Sequence, residues 1–150
     1  MKFRFLTDEF FIEYSRCSEI EMKKERPYAI LCIVNYGDIT FAIPIRHNIK
    51  HPFKVQTIEN QGLDLSKTVV ITDAEKYIDN TTVAYISEEE YEILKNNRNK
   101  IKKELYKYIK LYKKAVKKPE ISRNKNIYEK STLQYFHREL GIQLNENNSD

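Results

Sequence analysis

Tyr28-Ala29-Ile30-Leu31-Cys32-Ile33-Val34-Asn35-Tyr36-Gly37-Asp38-Ile39-Thr40-Phe41-Ala42-Ile43-Pro44-Ile45 is the stretch that decides the fold. Tyr28 to Asn35 is a dense apolar run, Gly37-Asp38 is a turn, and Ile39 to Ile45 is a second run, so the pattern predicts a β-hairpin. Upstream, Lys2 to Leu6 alternates basic and apolar residues and predicts a strand. Thr7 then caps a short helix whose first turn holds Asp8 and Glu9, with Phe10, Phe11 and Tyr14 on its buried face. Met22 to Pro27 is a polar connection. Downstream, Lys54 to Ile58, Thr68 to Thr72 and Val83 to Ile86 predict further strands. Several short strands with turn signals and few glycines suggest a small antiparallel barrel or a strongly curved sheet.

The last third is helical. Ser87 followed by Glu88, Glu89 and Glu90 predicts a capping box, and Tyr91, Leu94, Ile101, Leu105, Tyr108 and Tyr112 fall at helical spacing. One helix ending before Pro119 would be roughly 45 Å long. Ser122 to Asn126 reads as a polar linker and Ser131 to Leu140 as a last short helix with Gly141 as its cap. The expectation is an α+β protein: a compact curved antiparallel β-core with a long basic helix and short peripheral helices. It forms one domain over 1–142, with a disordered tail over 143–150.

Composition narrows the function. A chain of 150 residues and 18.0 kDa suggests one domain. Its three glycines are too scattered for a phosphate-cradling loop, which excludes P-loop and dinucleotide fingerprints. No apolar run is long enough to span a bilayer, and the first residues do not form a signal peptide, so no membrane partner is expected. Cys17 and Cys32 fit no zinc or redox spacing, and a reduced cytoplasmic setting follows. Charge is unevenly placed. Lys95 to Lys118 holds eleven basic residues and one acid, a charge of +10 that leaves −6 for the rest of a chain whose total is +4. Such a strip calls for a polyanion, and nucleic acid is the default one, although a charge run also occurs as a solvated helix face.

Chemistry concentrates where the second hairpin strand ends. Arg46, His47, Lys50 and His51 fall within six positions, and Pro52 disfavours helix at His51. Cutting RNA without a metal requires a base for the 2′-hydroxyl, an acid for the departing 5′-oxygen, and a cation for the charge on the pentacoordinate phosphate. Histidine titrates near neutrality, Arg offers forked donors, and Lys a point charge. A plain surface loop has the same composition. A metal site would use His47 and His51 with Asp64 as a third ligand, but there is no HExxH pattern and Pro52 spoils helical placement. No metal and no cofactor are expected.

Four ordered segments carry a resemblance: Lys2-Phe3-x-Phe5-Leu6-Thr7-Asp8-Glu9-Phe10-Phe11, Arg26-Pro27-Tyr28, Phe41-Ala42-Ile43-Pro44-x-Arg46-x-Asn48-Ile49-Lys50-His51, and Gly62-Leu63-Asp64-x-Ser66-Lys67. Together they resemble toxins of type III toxin–antitoxin systems, nearest the CptN branch of the ToxN/AbiQ endoribonucleases. The resemblance implies a curved β-core similar to the MazF/Kid-type small barrel. It implies metal-independent cleavage leaving 2′,3′-cyclic phosphate and 5′-hydroxyl ends, and a role in aborting phage infection. It also implies partners: a small pseudoknot-forming antitoxin RNA, cellular or phage RNA as substrate, and a closed RNA–protein assembly, with no DNA. The loop after Phe41-Ala42-Ile43-Pro44 corresponds to the family's active-site loop. There a family hydroxyl falls on Arg46 or His47 and a lysine on Lys50, so the histidine is a departure. The catalytic candidates are therefore Arg46, His47, Lys50 and His51, with Tyr28 near the cleft and Thr57 as a phosphate donor. Candidates for RNA binding are Lys23, Lys24, Arg26, Asn48, Lys54, Lys67, Lys103, Tyr106, Lys107 and Lys110; Tyr106 lies off the core stripe and suits base stacking. The basic helix alone would also suit a non-catalytic RNA-binding regulator. Tyr91 to Tyr112 as a coiled-coil seam is a third reading.

Overall fold

The computed structural model describes residues 1–20 and 30–143. Over these the chain is α+β, built on a seven-stranded antiparallel sheet. The predicted hairpin is its centre: β2 (Leu31–Tyr36) and β3 (Ile39–His47) pair from Leu31↔Pro44 to Tyr36↔Ile39. Gly37 makes the turn at φ +62°, a conformation open to a residue without Cβ. Phe3, Cys32 and Ile43 stand opposite one another on one face, and Leu31 and Pro44 on the other. All five are buried. A hairpin covered on both sides reads as a continuous apolar run rather than an alternating one.

β1 (Lys2–Leu6) pairs with β2, and β7 (Ile78–Asp79) pairs with β1. The other edge of β3 has two partners. β6 (Val69–Ile71) takes Thr40 to Ala42, and β5 (Gln61–Asp64) takes Ile45 to His47. β4 (Lys54–Gln56) pairs with β5. Pro44 fits at the junction. The Ile45 N–H donates to the Ile30 carbonyl on the β2 side at 2.9 Å, so position 44, one step earlier, faces the opposite edge. There the missing N–H falls between two partner strands and costs no ladder bond.

The order runs from β4 to β7 and does not close, so the expected barrel is replaced by an open sheet. Val83 to Ile86, expected as a strand, is irregular, with Val83 and Tyr85 exposed, and supplies nothing to bridge the edges. Thr7 caps α1 (Asp8–Glu13) and Asp73 caps α2 (Ala74–Tyr77). Ser87 caps α3 (Glu88–Asn96), accepting the Glu90 N–H at 3.1 Å. The expected single long helix is instead two, α3 and α4 (Arg98–Lys117). Asn97 separates them: its side-chain amide donates to the Ile93 carbonyl at 2.6 Å, a local bond that competes with the helical one. Leu94, Ile101, Leu105, Tyr108 and Tyr112 are buried as the spacing predicts.

Ser122 to Asn126, expected as a polar linker, is part of a helix, α5 (Ser122–Lys130), and Ser131 to Leu140 forms only a 3-10 turn, Thr132–Tyr135, followed by further turns. Lys23, Lys24, Arg26 and Tyr28 lie outside the described residues, as do residues 144–150 of the expected tail. Among the described residues no helix is long and apolar enough to cross a membrane.

Candidate active site

β3 carries Arg46 and His47 to its end, opposite Gly62 and Gln61 of β5. Gly62 also faces Gln56 of β4, and a Cβ there would lie 2.7 Å from the Val55 carbonyl oxygen. Only glycine lets the three backbones come this close. Asp64, two residues on, shares the face of Gly62 and so reaches Arg46.

Asp64 is the hub. It is 2% exposed, and its Oδ2 accepts from Arg46 Nη1 at 3.1 Å. Its Oδ1 accepts from the Ser66 hydroxyl at 2.6 Å and the Ser66 N–H at 3.0 Å, and lies 3.1 Å from His51 Nε2. Burial by itself raises the Asp64 carboxyl, but the hydrogen bonds from His51 and Ser66, with the charges beside it, prevail and hold it below the usual carboxylate range.

His51 is pinned at both nitrogens. Its Nδ1 accepts the Phe53 N–H at 3.0 Å, which leaves the proton on Nε2, directed at Asp64 Oδ1 and the Ser66 oxygen 3.1 Å away. This is not a Ser-His-Asp triad, because serine and aspartate meet the same nitrogen. The loop is set by Asn48, at φ +54°, whose N–H donates to the Asn60 carbonyl at 2.7 Å, and by Lys54, whose ammonium donates to the Ile49 carbonyl at 3.1 Å.

A cleft of about 620 Å³ opens beside this cluster. Leu31, Pro44, Phe10, Phe11 and Ile20 give it apolar walls, and Arg46, His47, Gln61, Lys67 and Glu90 line it with polar groups. His47 is exposed, unlike His51. Glu90 is 3% exposed; its carboxylate accepts from the Thr57 hydroxyl at 2.6 Å, and with the Gln61 amide assigned nitrogen-inward both carboxylate oxygens accept from that nitrogen at 3.1 Å. Glu90 therefore ties α3 to the β4–β5 turn instead of completing the capping box at Ser87.

The sequence candidates thus separate. Arg46 and His47 reach the cleft together. Lys50 is exposed on the adjoining loop and lines no part of the cleft. His51 belongs to the support beneath Arg46. Thr57, expected as a phosphate donor, directs its hydroxyl proton to Glu90 at 2.6 Å and is not among the residues lining the cleft. Lys67 lines the cleft, but its ammonium is held by the Glu19 carboxylate at 2.9 Å and the Lys130 carbonyl at 3.2 Å. Lys103, Tyr106, Lys107 and Lys110 lie on α4, away from the cleft lining. Sequence reasoning missed Ser66 and Glu90 as site residues. Ser66 stood in the Gly62-to-Lys67 segment, but Glu90 carried only a capping signal. Among the described residues no group of three or more His, Cys, Asp or Glu side chains is arranged to hold a metal ion. Comparison with family models, curated proteins and solved structures finds no significant match to the chain.

Proposed function

We propose that the protein is a metal-independent endoribonuclease toxin of the type III toxin–antitoxin class, acting in the cytoplasm. In this reading its partners are a small pseudoknot-forming antitoxin RNA, which it processes and which inhibits it in a closed RNA–protein assembly, and the cellular or phage RNA it cuts. The observation that carries the proposal is Arg46: a guanidinium delivered by a rigid strand, oriented by the buried Asp64 at 3.1 Å, on a residue that lines the same cleft as the exposed His47. A preorganised cation of this kind suits a phosphorane, whose charge appears only in the transition state.

The chemistry follows from who is committed and who is not. His47 takes the 2′-hydroxyl proton as the 2′-oxygen attacks the adjacent phosphorus. Arg46 meets the charge on the phosphate. The P–O5′ bond breaks, and the departing oxygen takes its proton from solvent, since Lys50 lies off the cleft. The products end in a 2′,3′-cyclic phosphate and a 5′-hydroxyl. His51, Ser66 and Asp64 act through Arg46 as positioning residues.

Incubation with an unstructured RNA in excess EDTA tests the proposal. The expected result is cleavage with cyclic-phosphate ends, lost in Arg46→Ala and His47→Ala. Intact RNA after prolonged incubation with folded wild-type protein overturns it. A second reading, a non-catalytic RNA-binding regulator, is favoured by the lysine face of α4, which needs no cleft; binding without cleavage in that assay selects it.

A further inference from the structure

Far from the cleft, at the hairpin end of β3, two tyrosines stack in the open. Tyr36 and Tyr106 have ring centroids 5.8 Å apart and planes at 23°, and they are 41% and 44% exposed. They come from different elements, the β2–β3 hairpin and α4. The Lys110 ammonium sits 5.5 Å from the centroid of the Tyr106 ring. Tyr106 is therefore in contact with a ring and a cation, whereas among the described residues Tyr36 makes no ring or cation contact beyond Tyr106. Lys102, Lys103 and Lys110, three or four residues from Tyr106, flank the stack on the helix surface, and all three are exposed. α4 as a whole carries nine basic residues against Glu104.

Large aromatic rings left half in water beside uncompensated cations fit one chemistry: an unpaired base on the ring, with its phosphates on the lysines. We propose that Tyr36 is a stacking platform for a base of single-stranded RNA, and that Lys102, Lys103 and Lys110 hold the flanking phosphates. That the strand is RNA rests on the proposed function; the platform itself rests on the rings and the charge. β3 links the two regions. Its nine residues, at about 3.3 Å each, put Ile39 roughly 26 Å from His47. A stacked strand advances about 3.4 Å per nucleotide, so an RNA touching both ends needs at least about eight nucleotides, and more to pass from the Cys32 face that carries Tyr36 to the Leu31–Pro44 face that walls the cleft.

The test uses the full chain and 2′-O-methyl oligouridines of four and twelve nucleotides, which have no 2′-hydroxyl to attack. The wild type should bind the twelve-mer much more tightly than the four-mer. Tyr36→Ala should weaken the twelve-mer about tenfold and erase most of that preference, while Tyr36→Phe retains it. With 5-iodouridine along the twelve-mer, photocrosslinking should place an adduct on Tyr36. An unchanged length preference in Tyr36→Ala, or adducts confined to other residues, overturns the platform. So does displacement of the twelve-mer by polyglutamate as readily as by poly(U), which would mark an acidic protein as the partner. None of these outcomes depends on cleavage. A protein that shows the preference but cuts nothing fails the nuclease proposal alone, and one that cuts without using Tyr36 fails the platform alone.

Discussion

The two ends of β3 are built from different materials. At the hairpin end, Tyr36 meets Tyr106 in solvent beside exposed lysines, and little there is fixed by burial. At the other end, Arg46 is gripped by a carboxylate with 2% exposure that is itself held by Ser66 and His51. The contrast is one of preorganisation. A group that must stabilise a fleeting charge gains from being fixed before the reaction, and the low dielectric around Asp64 makes that fixing strong. A surface that holds a flexible polymer gains from cations and flat rings that adapt to it. Substitutions at the cleft end should therefore change rate and stability, and substitutions at the hairpin end should change affinity and salt response.

The sharpest break is His47→Ala. It should reduce cleavage in EDTA by about a thousandfold, within the range for loss of a proton-transfer group, while twelve-mer binding holds within a few-fold. A loss of binding equal to the loss of rate would move His47 from chemistry to affinity and dissolve the contrast. Next is Asp64→Asn. The amide cannot balance the Arg46 charge, so it should cost about 3 kcal/mol, read as a lower thermal midpoint. The pH dependence has a definite sign. The folded-state carboxyl lies below its unfolded value of about 3.9. Its contribution is therefore complete above about pH 4–5 and fades as pH falls through the lower folded value. The stability gap between wild type and Asp64→Asn should be flat near neutrality and narrow in acid. A gap that stays constant into strong acid would mean that the ionised carboxylate is not what holds Arg46.

Gly62→Ala probes the same end through the backbone. The added methyl meets the Val55 carbonyl oxygen at 2.7 Å, and backbone cannot swing aside as a side-chain tip does. A loss of about 2 kcal/mol is expected, measured by denaturant unfolding, with a further fall in cleavage as Asp64 shifts under Arg46.

How much of this was written locally in the chain differs between the two ends. The hairpin, the Thr7 and Ser87 caps and the buried stripe of α4 are local patterns, and the sequence carries them openly. Tyr106 also stood out, because it interrupts a lysine face rather than a core stripe. β5 did not, since Gln61-Gly62-Leu63-Asp64 is short, contains glycine, and offers no alternation to read. Without β5 no register brings Asp64 to Arg46, and residue type alone makes Asp64 a possible metal ligand with nothing to place it. Several short strands with turn signals also suit a closed barrel, and strand count alone does not say whether the two edges, here β4 and β7, meet. His51 shows the limit of residue type: beside a strand end it has the composition of a catalytic base, and only the Phe53 N–H at 3.0 Å from Nδ1 makes it a strut.

The smallest effect separates the ends most finely. Replacing Lys103, Lys107 and Lys110 with Gln removes three of the basic groups on α4. None of the three lines the cleft, and Lys107 spends part of its charge on Glu104 at 3.6 Å. If each contacts a phosphate, the slope of log affinity against log salt should fall by about 2, since single strands give roughly 0.7 per phosphate. With Lys107 partly paired already, a value slightly under that is expected. The rate constant for cutting bound RNA should not move, because in the proposed mechanism the charge met in the transition state belongs to Arg46. A triple variant with an unchanged salt slope would take the polyanion off α4 altogether. One that lost rate at saturating RNA would show that the hairpin end takes part in the chemistry, and that the division of labour along β3 is drawn in the wrong place.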